Sequence, residues 1–274
     1  MMKYKQNLHT HTVRCDGKDT PEEMIAHAIN KGFDSIGFSG HSHMPYSSYH
    51  HITRETTSAY KKEIYALKEK YKGVIDIYCG LEFEMLGDDD LEGWEYVIGA
   101  VHYLEKNGGV ATFDRDASTV AGIIDQFFGG DGMEYAKCYY EHMARLPEYG
   151  KFDIIGHFDL ITKHVDKADF FDYNSHEYLR YATDAMDALK GKIDLFEVNT
   201  GAISRGYRKT PYPMMNLLKE LKARGFGAVI SSDCHDGRYL DIAFDTCEEM
   251  LEECGFRGKY VLRNGKFEEI GLKE

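Results

Sequence analysis

The stretch YKQNLHTHTVRCDGKDTPEEMIAHAINKGFDSIGFSGHSH, residues 4–43, decides the fold class of this chain. It begins and ends with short apolar runs that are typical of strands. Between them, TPEE at 20–23 is a capping box with proline at the first helical position, and it predicts the start of a helix. Gly32 predicts the end of that helix. A strand, a crossover helix and a second strand form the unit from which parallel sheets are built.

The rest of the chain repeats this alternation of strand and helix. The predicted strands are Tyr4–His9, Ser35–Ser39, Ile75–Glu82, Tyr96–Val101, Asp153–Phe158, Leu195–Asn199 and Ala228–Ser232. Further helices are predicted at Ser58–Tyr71, Asp116–Phe128, Met133–Arg145, Ser175–Leu189, after Pro213, and at Asp245–Cys254. The ending YVLRNGKFEEIGL predicts a hairpin around Asn264-Gly265. Seven strands with intervening helices indicate a (β/α) barrel one unit short of eight, or an open doubly wound sheet.

Composition and charge limit the classes of function. A chain of 274 residues can bury one substantial core, and we expect residues 1–274 to form a single domain. The net charge of −13 argues against a nucleic-acid partner, because phosphate backbones require a basic surface. No apolar run predicts a signal peptide or a membrane anchor, so we expect a cytoplasmic protein. The six cysteines include no C-x-x-C pair, which argues against a zinc finger and a disulfide framework.

Imidazole and carboxylate side chains stand where the predicted strands end. They belong to His9, His11, Asp16, His41, Glu82, His102, His157, Asp233 and His235. In a parallel barrel the carboxyl ends of all strands meet on one face, where the active sites of such barrels lie. Nine such groups would therefore converge on one concave surface. This convergence favours the barrel, and we predict an α/β fold, a distorted seven-stranded (β/α)7 TIM-like barrel.

So many histidines and carboxylates in one place predict a metal site. Packed together without cations they would be costly, because each shifts the pKa values of the others. On a strand, the two imidazoles of His9-Thr10-His11 project to the same side and can reach one ion. Nine ligands are too many for one tetrahedral zinc and suit two or three ions that share bridging carboxylates. Nitrogen and oxygen ligands without thiolate suit Zn, Mn or Fe.

Basic side chains near the same face predict an anion-binding function. The predicted sixth strand ends in EVNT without an obvious ligand, and the loop GAISRGYRKTPYP that follows contains Arg205 and Arg208. Guanidinium groups bind phosphate oxygens bidentately, and Lys163, six residues past His157, is a further candidate. His43 follows His41 by two residues and is a candidate leaving-group acid. We expect the substrate to be a small phosphomonoester.

The order of these motifs resembles the polymerase-and-histidinol-phosphatase (PHP) superfamily. The resemblance runs from NLHTHTVRCDG through GFSGHSHMP and EVNTGAISRGYRKTPYP to SSDCHDG and the final hairpin, and these segments are similar to the histidinol-phosphate phosphatase branch. It implies three divalent metal ions. The first would be held by His9, His11, Glu82 and Asp233, the second by Glu82, His102 and His157, and the third by Asp16, His41 and His235. It also implies an arginine or lysine grip on phosphate near Lys163 and Arg205.

The expected reaction is hydrolysis of L-histidinol phosphate by in-line attack of a hydroxide that bridges metal ions. Glu82 and Asp233 would help to hold this hydroxide through the ions that they bind. One alternative is a PHP phosphoesterase acting on nucleotides or another phosphomonoester. A second is a two-metal amidohydrolase, which also begins with H-x-H but has no required role for Asp16, His41 and His235. A third is a metal-binding interaction module without activity. The complete set of ligands argues against the third.

Overall fold

Seven parallel strands form the central sheet of the part of the chain that the structure describes. The structure is a computed structural model that describes residues 4–47 and 51–272. In sheet order the strands are β1 (Gln6–Asn7), β2 (Ser35–Phe38), β3 (Asp76–Glu84), β4 (Tyr96–Ala100), β7 (Ile154–Ile155), β8 (Leu195–Asn199) and β9 (Gly227–Ser231). Every neighbouring pair is parallel, so the seven carboxyl ends lie at one edge.

The sheet curls into a barrel because its two edge strands meet at their carboxyl ends. Thr10 and Cys234 form a parallel bridge just beyond β1 and β9, and the His11 amide donates to the Cys234 carbonyl at 3.0 Å. Below this bridge, the Asn7 side chain donates to Ser232 Oγ at 2.6 Å. Between β1 and β9, one β-bridge and the hydrogen bonds of one side chain replace a full ladder of backbone hydrogen bonds. The prediction of a distorted seven-stranded barrel is confirmed.

Eight α-helices connect the strands within the described ranges. They are α1 (Pro21–Asn30), α2 (Arg54–Lys70), α3 (Ala117–Phe128), α4 (Gly132–Arg145), α5 (His176–Leu189), α6 (Gly201–Ser204), α7 (Met215–Ala223) and α8 (Phe244–Glu253). The predicted capping box of α1 is present, with Thr20 as the N-cap. Helix α2 begins at Arg54 rather than at Ser58, because Thr53 and Thr56 form a reciprocal cap there. None of these helices is both long and apolar enough to span a bilayer.

The strands β1 and β7 are much shorter than predicted. Beyond β1, the His9 amide donates to the side chain of Asn7 at 3.1 Å, and beyond β7 the His157 amide donates to Glu197 Oε2 at 2.9 Å. These backbone groups are therefore bound to side chains and not to a neighbouring strand. The regular ladder ends early where the chain starts to position its histidines.

Two hairpins lie outside the barrel. The strands β10 (Gly258–Arg263) and β11 (Lys266–Gly271) turn through Asn264 and Gly265, both at positive φ, which confirms the predicted C-terminal hairpin. The strands β5 (Tyr103–Lys106) and β6 (Gly109–Thr112) form a second hairpin after β4 that the sequence reading missed. Its turn also has an Asn-Gly pair at positive φ, with Asn107 at 52° and Gly108 at 77°.

The apolar core has two layers, because alternate residues of a strand face opposite sides. The layer inside the barrel contains Leu8, Tyr78, Tyr96, Ile98, Ile154, Leu195, Val229 and Leu262. The larger layer packs between the strands and the helices and includes Phe196 and Val198 of β8. Leu195, Glu197 and Asn199 of the same strand therefore face the interior. Two of the three inward positions on β8 are polar, and they lie towards its carboxyl end.

The amino end of the barrel is closed by β10. Gln6, at the start of β1, donates through Nε2 to the Leu262 carbonyl at 2.8 Å and accepts through Oε1 from the Leu262 amide at 2.7 Å. Its Nε2 also donates to Ser35 Oγ at 2.7 Å. Gln6 is 6% exposed, and both ends of its buried amide are hydrogen-bonded to protein atoms.

Candidate metal centre

The nine predicted side chains lie together at the carboxyl end of the barrel. Each follows a strand directly, lies in the loop after it or, in the case of Glu82, lies within β3. They come from β1 (His9, His11 and Asp16), β2 (His41), β3 (Glu82), β4 (His102), β7 (His157) and β9 (Asp233 and His235). Their donor atoms fall into three neighbouring groups.

The first group surrounds the two imidazoles of the H-x-H motif. His11 Nε2 lies 3.2 Å from Asp233 Oδ1 and 3.5 Å from Glu82 Oε2. His9 Nε2 lies 3.3 Å from the same Glu82 oxygen and 3.7 Å from Asp233 Oδ1. All four side chains are buried. Four donor atoms thus enclose one small volume.

The second group shares Glu82 with the first. Glu82 Oε1 lies 2.8 Å from His157 Nε2 and 3.4 Å from His102 Nε2, whereas Glu82 Oε2 faces the first group. The two oxygens of one carboxylate therefore serve two adjacent sets of donors. This is the arrangement that a bridging carboxylate requires.

The third group lies nearer to solvent and centres on Asp16. Asp16 Oδ2 is 3.1 Å from His235 Nε2 and 3.5 Å from His41 Nε2. His41 also contacts the bridging carboxylate, because its Nδ1 lies 2.7 Å from Glu82 Oε2. The third group is thus in contact with the first two.

Several buried atoms at this site make no well-aligned hydrogen bond to the protein atoms described, although His41 Nδ1 lies 2.7 Å from Glu82 Oε2. These atoms are His9 Nε2, His11 Nε2 and Glu82 Oε2 of the first group, and His157 Nδ1. An unpaired buried polar atom costs about 1–3 kcal/mol, and three of these converge on the volume enclosed by the first group. A divalent cation would satisfy all three at once, since imidazole nitrogen and carboxylate oxygen are its usual ligands. The residues present therefore fit divalent metal ions.

The electrostatics of the cluster favour the metal-binding protonation state at Glu82 and His11 but not at every imidazole. Burial would lower the pKa values of His9, His41 and His102, but attraction to the neighbouring carboxylates outweighs it and raises them, so these side chains would release a proton when an ion binds. Burial would raise the pKa of Glu82, but attraction to His41, His9 and His102 outweighs it and holds that pKa well below its usual range. Burial, together with repulsion by His235 and His41, lowers the pKa of His11 to about 3. Glu82 is therefore ionised and His11 neutral near pH 7, which are the protonation states that bind metals.

Two glutamates behind the cluster were not identified from the sequence. Glu197 Oε1 lies 2.6 Å from His9 Nδ1, and Glu84 Oε2 lies 3.0 Å from His102 Nδ1. Each glutamate contacts the imidazole nitrogen that faces away from the three groups of donor atoms. The signal for Glu84 was its spacing of two from Glu82, which places both on the same face of β3. The signal for Glu197 was a lone charge in the otherwise apolar run LFEV.

The structure separates the three predicted basic residues. Arg205 lines the cleft and donates from Nη2 to Asp233 Oδ2 at 2.9 Å, and Lys163 also lines it, with Nζ 2.7 Å from Asp114 Oδ1. Arg208 does not reach the cleft. It is buried, donates to the hydroxyls of Thr162 and Thr210, and packs over the Tyr212 ring. This buried position does not suit the predicted substrate-binding function of Arg208.

His43 is likewise placed outside the cleft lining. Its Nδ1 lies 2.6 Å from Asp88 Oδ1, its backbone amide donates to Asp89, and its ring contacts His51 at 5.5 Å. His43 is absent from the residues that line the cavities at the cluster. This position does not suit the predicted leaving-group acid, because its imidazole is paired with a carboxylate of the loop after β3.

The cleft over the cluster has two parts that share a wall. One, of about 210 Å³, is lined by six of the nine cluster residues and by Asp114, Leu160, Lys163 and Arg205; the six are Asp16, His41, His102, His157, Asp233 and His235. The other, of about 280 Å³, is lined mainly by the loop after β2 and the β5–β6 hairpin: Ser42, Met44, Ser47, His51, Glu84, Tyr103, Thr112 and Arg115. The shared wall consists of Asp16, His41, His102 and Asp114. A ligand in the first part can extend directly into the second.

Known proteins resemble this chain along almost all of its length. The probable histidinol-phosphatase of Deinococcus radiodurans is 29% identical over 268 aligned residues, which cover 91% of this chain and 93% of that protein. The histidinol-phosphatase of Bacillus subtilis is 25% identical over 273 residues, which cover 91% and 99% of the two chains.

A solved structure shows the same fold. The histidinol phosphate phosphatase of Lactococcus lactis, in complex with zinc, L-histidinol and phosphate, superposes with a TM-score of 0.70 at 18% identity, over 96% of this chain and 98% of that one. The family model described as the PHP domain matches residues 7–201, which is more than half of the sequence. The chain belongs to the PHP-domain family.

Proposed function

We propose that this protein is a metal-dependent phosphomonoesterase that hydrolyses L-histidinol phosphate to L-histidinol and phosphate. The observation that carries the proposal is the convergence of nine imidazole and carboxylate side chains at one end of the barrel, six of which line a cleft together with Arg205 and Lys163. The choice of substrate is supported by the histidinol-phosphatases of D. radiodurans and B. subtilis, which match the chain over nearly its full length.

We further propose that the three groups of the cluster hold three divalent ions. The first would be bound by His9, His11, Glu82 and Asp233, the second by Glu82, His102 and His157, and the third by Asp16, His41 and His235. The division of the two Glu82 oxygens between the first and second groups supports this assignment. Zn, Mn or Fe would suit the donors. When bound, such ions supply a nucleophile from water near neutral pH and neutralise charge that develops on the phosphoryl group.

Arg205 and Lys163 are the proposed phosphate-binding residues. The guanidinium of Arg205 lies beside Asp233, and its buried Nε has no hydrogen-bond partner among the protein atoms described. The Arg205 side chain lines the cleft, so its guanidinium is placed near a phosphoryl group bound there. Lys163 lies beside Asp114 and adds a second positive charge. Together they would hold the phosphoryl group over the metal cluster.

The second part of the cleft suits the organic half of the substrate. L-Histidinol carries an ammonium and an imidazole group. Met44 and Tyr103 provide apolar contact area there, and the hydroxyls of Ser42 and Thr112 provide polar contacts. Burial would raise the pKa of Asp114, but Lys163 and His102 lower it, so the carboxylate stays ionised at the boundary between the two parts. We propose that Asp114 faces the ammonium group.

A phosphate-release assay on a small panel of monoesters tests the function. The protein is reconstituted with zinc, manganese or iron and given L-histidinol phosphate, a nucleoside monophosphate, phosphotyrosine and p-nitrophenyl phosphate. The highest kcat/KM is expected for L-histidinol phosphate. Selectivity for a nucleotide would overturn the substrate and leave the metal site in place, whereas amide or lactone hydrolysis with two ions per chain would overturn the phosphatase assignment.

Other expectations from the sequence stay predictions. They are the single domain over residues 1–274, the cytoplasmic location, and the absence of nucleic-acid and membrane partners. The net charge of −13 supports the last of these, because it opposes a polyanionic partner.

A further inference from the structure

Glu197 is a fully buried carboxylate inside the barrel, directly behind the metal cluster. It lies on β8, which contributes no side chain to the nine-residue cluster, and its exposed fraction is 0%. Its neighbours Phe196 and Val198 belong to the apolar layer under the helices. A buried charge of this kind is retained only where hydrogen bonds or opposite charges compensate for its desolvation.

Four hydrogen bonds compensate Glu197, and they come from four different strands or strand ends. Oε1 contacts His9 Nδ1 at 2.6 Å and accepts from the hydroxyl of Ser231 on β9. Oε2 accepts from the backbone amide of His157 at 2.9 Å and from Asn199 Nδ2 at 2.8 Å. Two of these partners belong to predicted ligands, one from the first metal group and one from the second.

We propose that Glu197 is a positioning residue that fixes the tautomer of His9 and the position of His157, and so prepares two metal groups at once. The proposal rests on the metal-binding role of the cluster and is independent of the identity of the substrate. When an ion is bound His9 is neutral, and with Glu197 ionised its remaining proton lies on Nδ1. The lone pair of Nε2 then faces Glu82 and Asp233, where an ion would bind.

The backbone bond to His157 gives Glu197 a second effect. The ladder between β7 and its neighbours ends at Ile155, so the amide of His157 is held by the Glu197 carboxylate and not by a strand. The orientation of Asn199 is fixed independently, because its Oδ1 accepts from the Gly201 amide at 2.8 Å. Its Nδ2 must therefore donate to Glu197. The His157 amide and Asn199 Nδ2 can therefore only donate to Glu197. His9 Nδ1 must donate as well when His9 binds an ion through Nε2.

This pattern makes Glu197→Gln an informative substitution. If the new amide NH₂ replaced Oε2, it would face two fixed donors, the His157 amide and Asn199 Nδ2. If it replaced Oε1, Ser231 could rotate to accept, and His9 could accept through Nδ1. The second orientation is the less costly one, and it moves the His9 proton to Nε2. His9 would then be unable to bind an ion without losing that proton.

The expected result is a 10- to 100-fold lower affinity for zinc in Glu197→Gln, the usual effect of removing a carboxylate behind a metal-bound histidine. Zinc binding to the metal-free protein is measured by competition with a chromophoric chelator, without substrate. Glu248→Gln is the matched control, since Glu248 is also a buried carboxylate, and it pairs with Lys259 at 2.7 Å between α8 and β10, neither of which contributes to the cluster. The control should bind zinc with wild-type affinity.

Two outcomes would overturn the proposal. One is wild-type zinc affinity in Glu197→Gln, and the other is an equal loss in both variants, which would indicate a general effect of disrupting a buried charge. Long-range ¹H–¹⁵N spectra of the metal-free protein, recorded at alkaline pH so that each imidazole carries one proton, provide a separate measurement of the tautomer, with His9→Gln used for assignment. Wild type should carry the His9 proton on Nδ1 and the variant on Nε2. A wild-type proton on Nε2 would also overturn the proposal, even if the variant failed to fold.

Discussion

The two ends of the barrel treat buried polar groups in opposite ways. At the amino end, both ends of the Gln6 amide are bound to protein atoms of Leu262 and Ser35. At the carboxyl end, His9 Nε2, His11 Nε2 and Glu82 Oε2 are also buried but make no well-aligned hydrogen bond to the protein atoms described. The first arrangement joins a hairpin to the barrel, and the second leaves donor atoms available to a ligand. Three such donor atoms that converge on one small volume, as they do at the carboxyl end, indicate a place for a ligand.

The largest expected effect comes from removing a ligand at the carboxyl end. Asp233→Asn, or His9→Ala, should lower kcat by about 10³-fold or more, because several kcal/mol of transition-state stabilisation depend on the bound ions. The far-UV circular dichroism spectrum should be unchanged. The exposed Asp125→Asn on α3 is the control. Full activity in a variant whose metal content is zero by elemental analysis would contradict the metal-dependent function.

The second effect separates the two arginines of the loop after β8. Arg205→Ala should lower kcat/KM by about 10²-fold, since it removes a charged donor placed for the phosphoryl oxygens. Arg208→Met should leave the inhibition constant for inorganic phosphate unchanged and instead lower the free energy of unfolding, because Asp159 loses its buried partner. Weaker phosphate binding in Arg208→Met, with Arg205→Ala unaffected, would reverse the assignment.

A smaller effect is expected at the boundary between the two parts of the cleft. Asp114→Asn should raise KM for L-histidinol phosphate about fivefold, the equivalent of about 1 kcal/mol for a partly exposed charge pair. The KM for p-nitrophenyl phosphate, which has no ammonium group, serves as the internal control and should change less. Equal increases for both substrates would show that Asp114 acts through Lys163 on the phosphate and not on the organic half.

The smallest effect on activity is expected at the amino end. Gln6→Ala leaves the amide and carbonyl of Leu262 without partners and should lower the free energy of unfolding by about 1–3 kcal/mol, measured by urea denaturation. Zinc content and kcat should stay at wild-type values. Gln126→Ala, at an exposed position of α3, should change stability by less than about 0.5 kcal/mol. Loss of zinc from Gln6→Ala would contradict the separation of the two ends.

The architecture and the convergence of the nine side chains could be predicted because both depend on local patterns. The alternation of strand and helix implies parallel strands, and parallel strands bring residues such as His102 and His157 to one edge whatever lies between them. The strand Leu195–Asn199 was predicted with its observed bounds. The role of the nine residues as ligands stays a prediction, supported by the unpaired atoms of the first group.

What could not be predicted depends on packing between distant segments. Arg205 and Arg208 lie in one loop, and only the burial of Arg208 against Tyr212 and Asp159 distinguishes them. Glu197 has no ligand spacing, and its proposed function is evident only once partners from β1, β7 and β9 surround it. The β5–β6 hairpin was missed although Asn107-Gly108 is a turn signal, because its strands are short and only partly buried.

The β5–β6 hairpin lies outside the barrel but lines one of the two parts of the cleft. It is inserted between β4 and α3, outside the repeat of strand and helix, yet Tyr103, Thr112 and the nearby Asp114 form much of the wall for the organic half of a substrate. The residues that hold ions lie on the barrel itself. We therefore expect insertions, deletions and substitutions in residues 103–113 to alter which ester is accepted without moving the nine predicted ligands, so that substrate preference and ion binding can change independently.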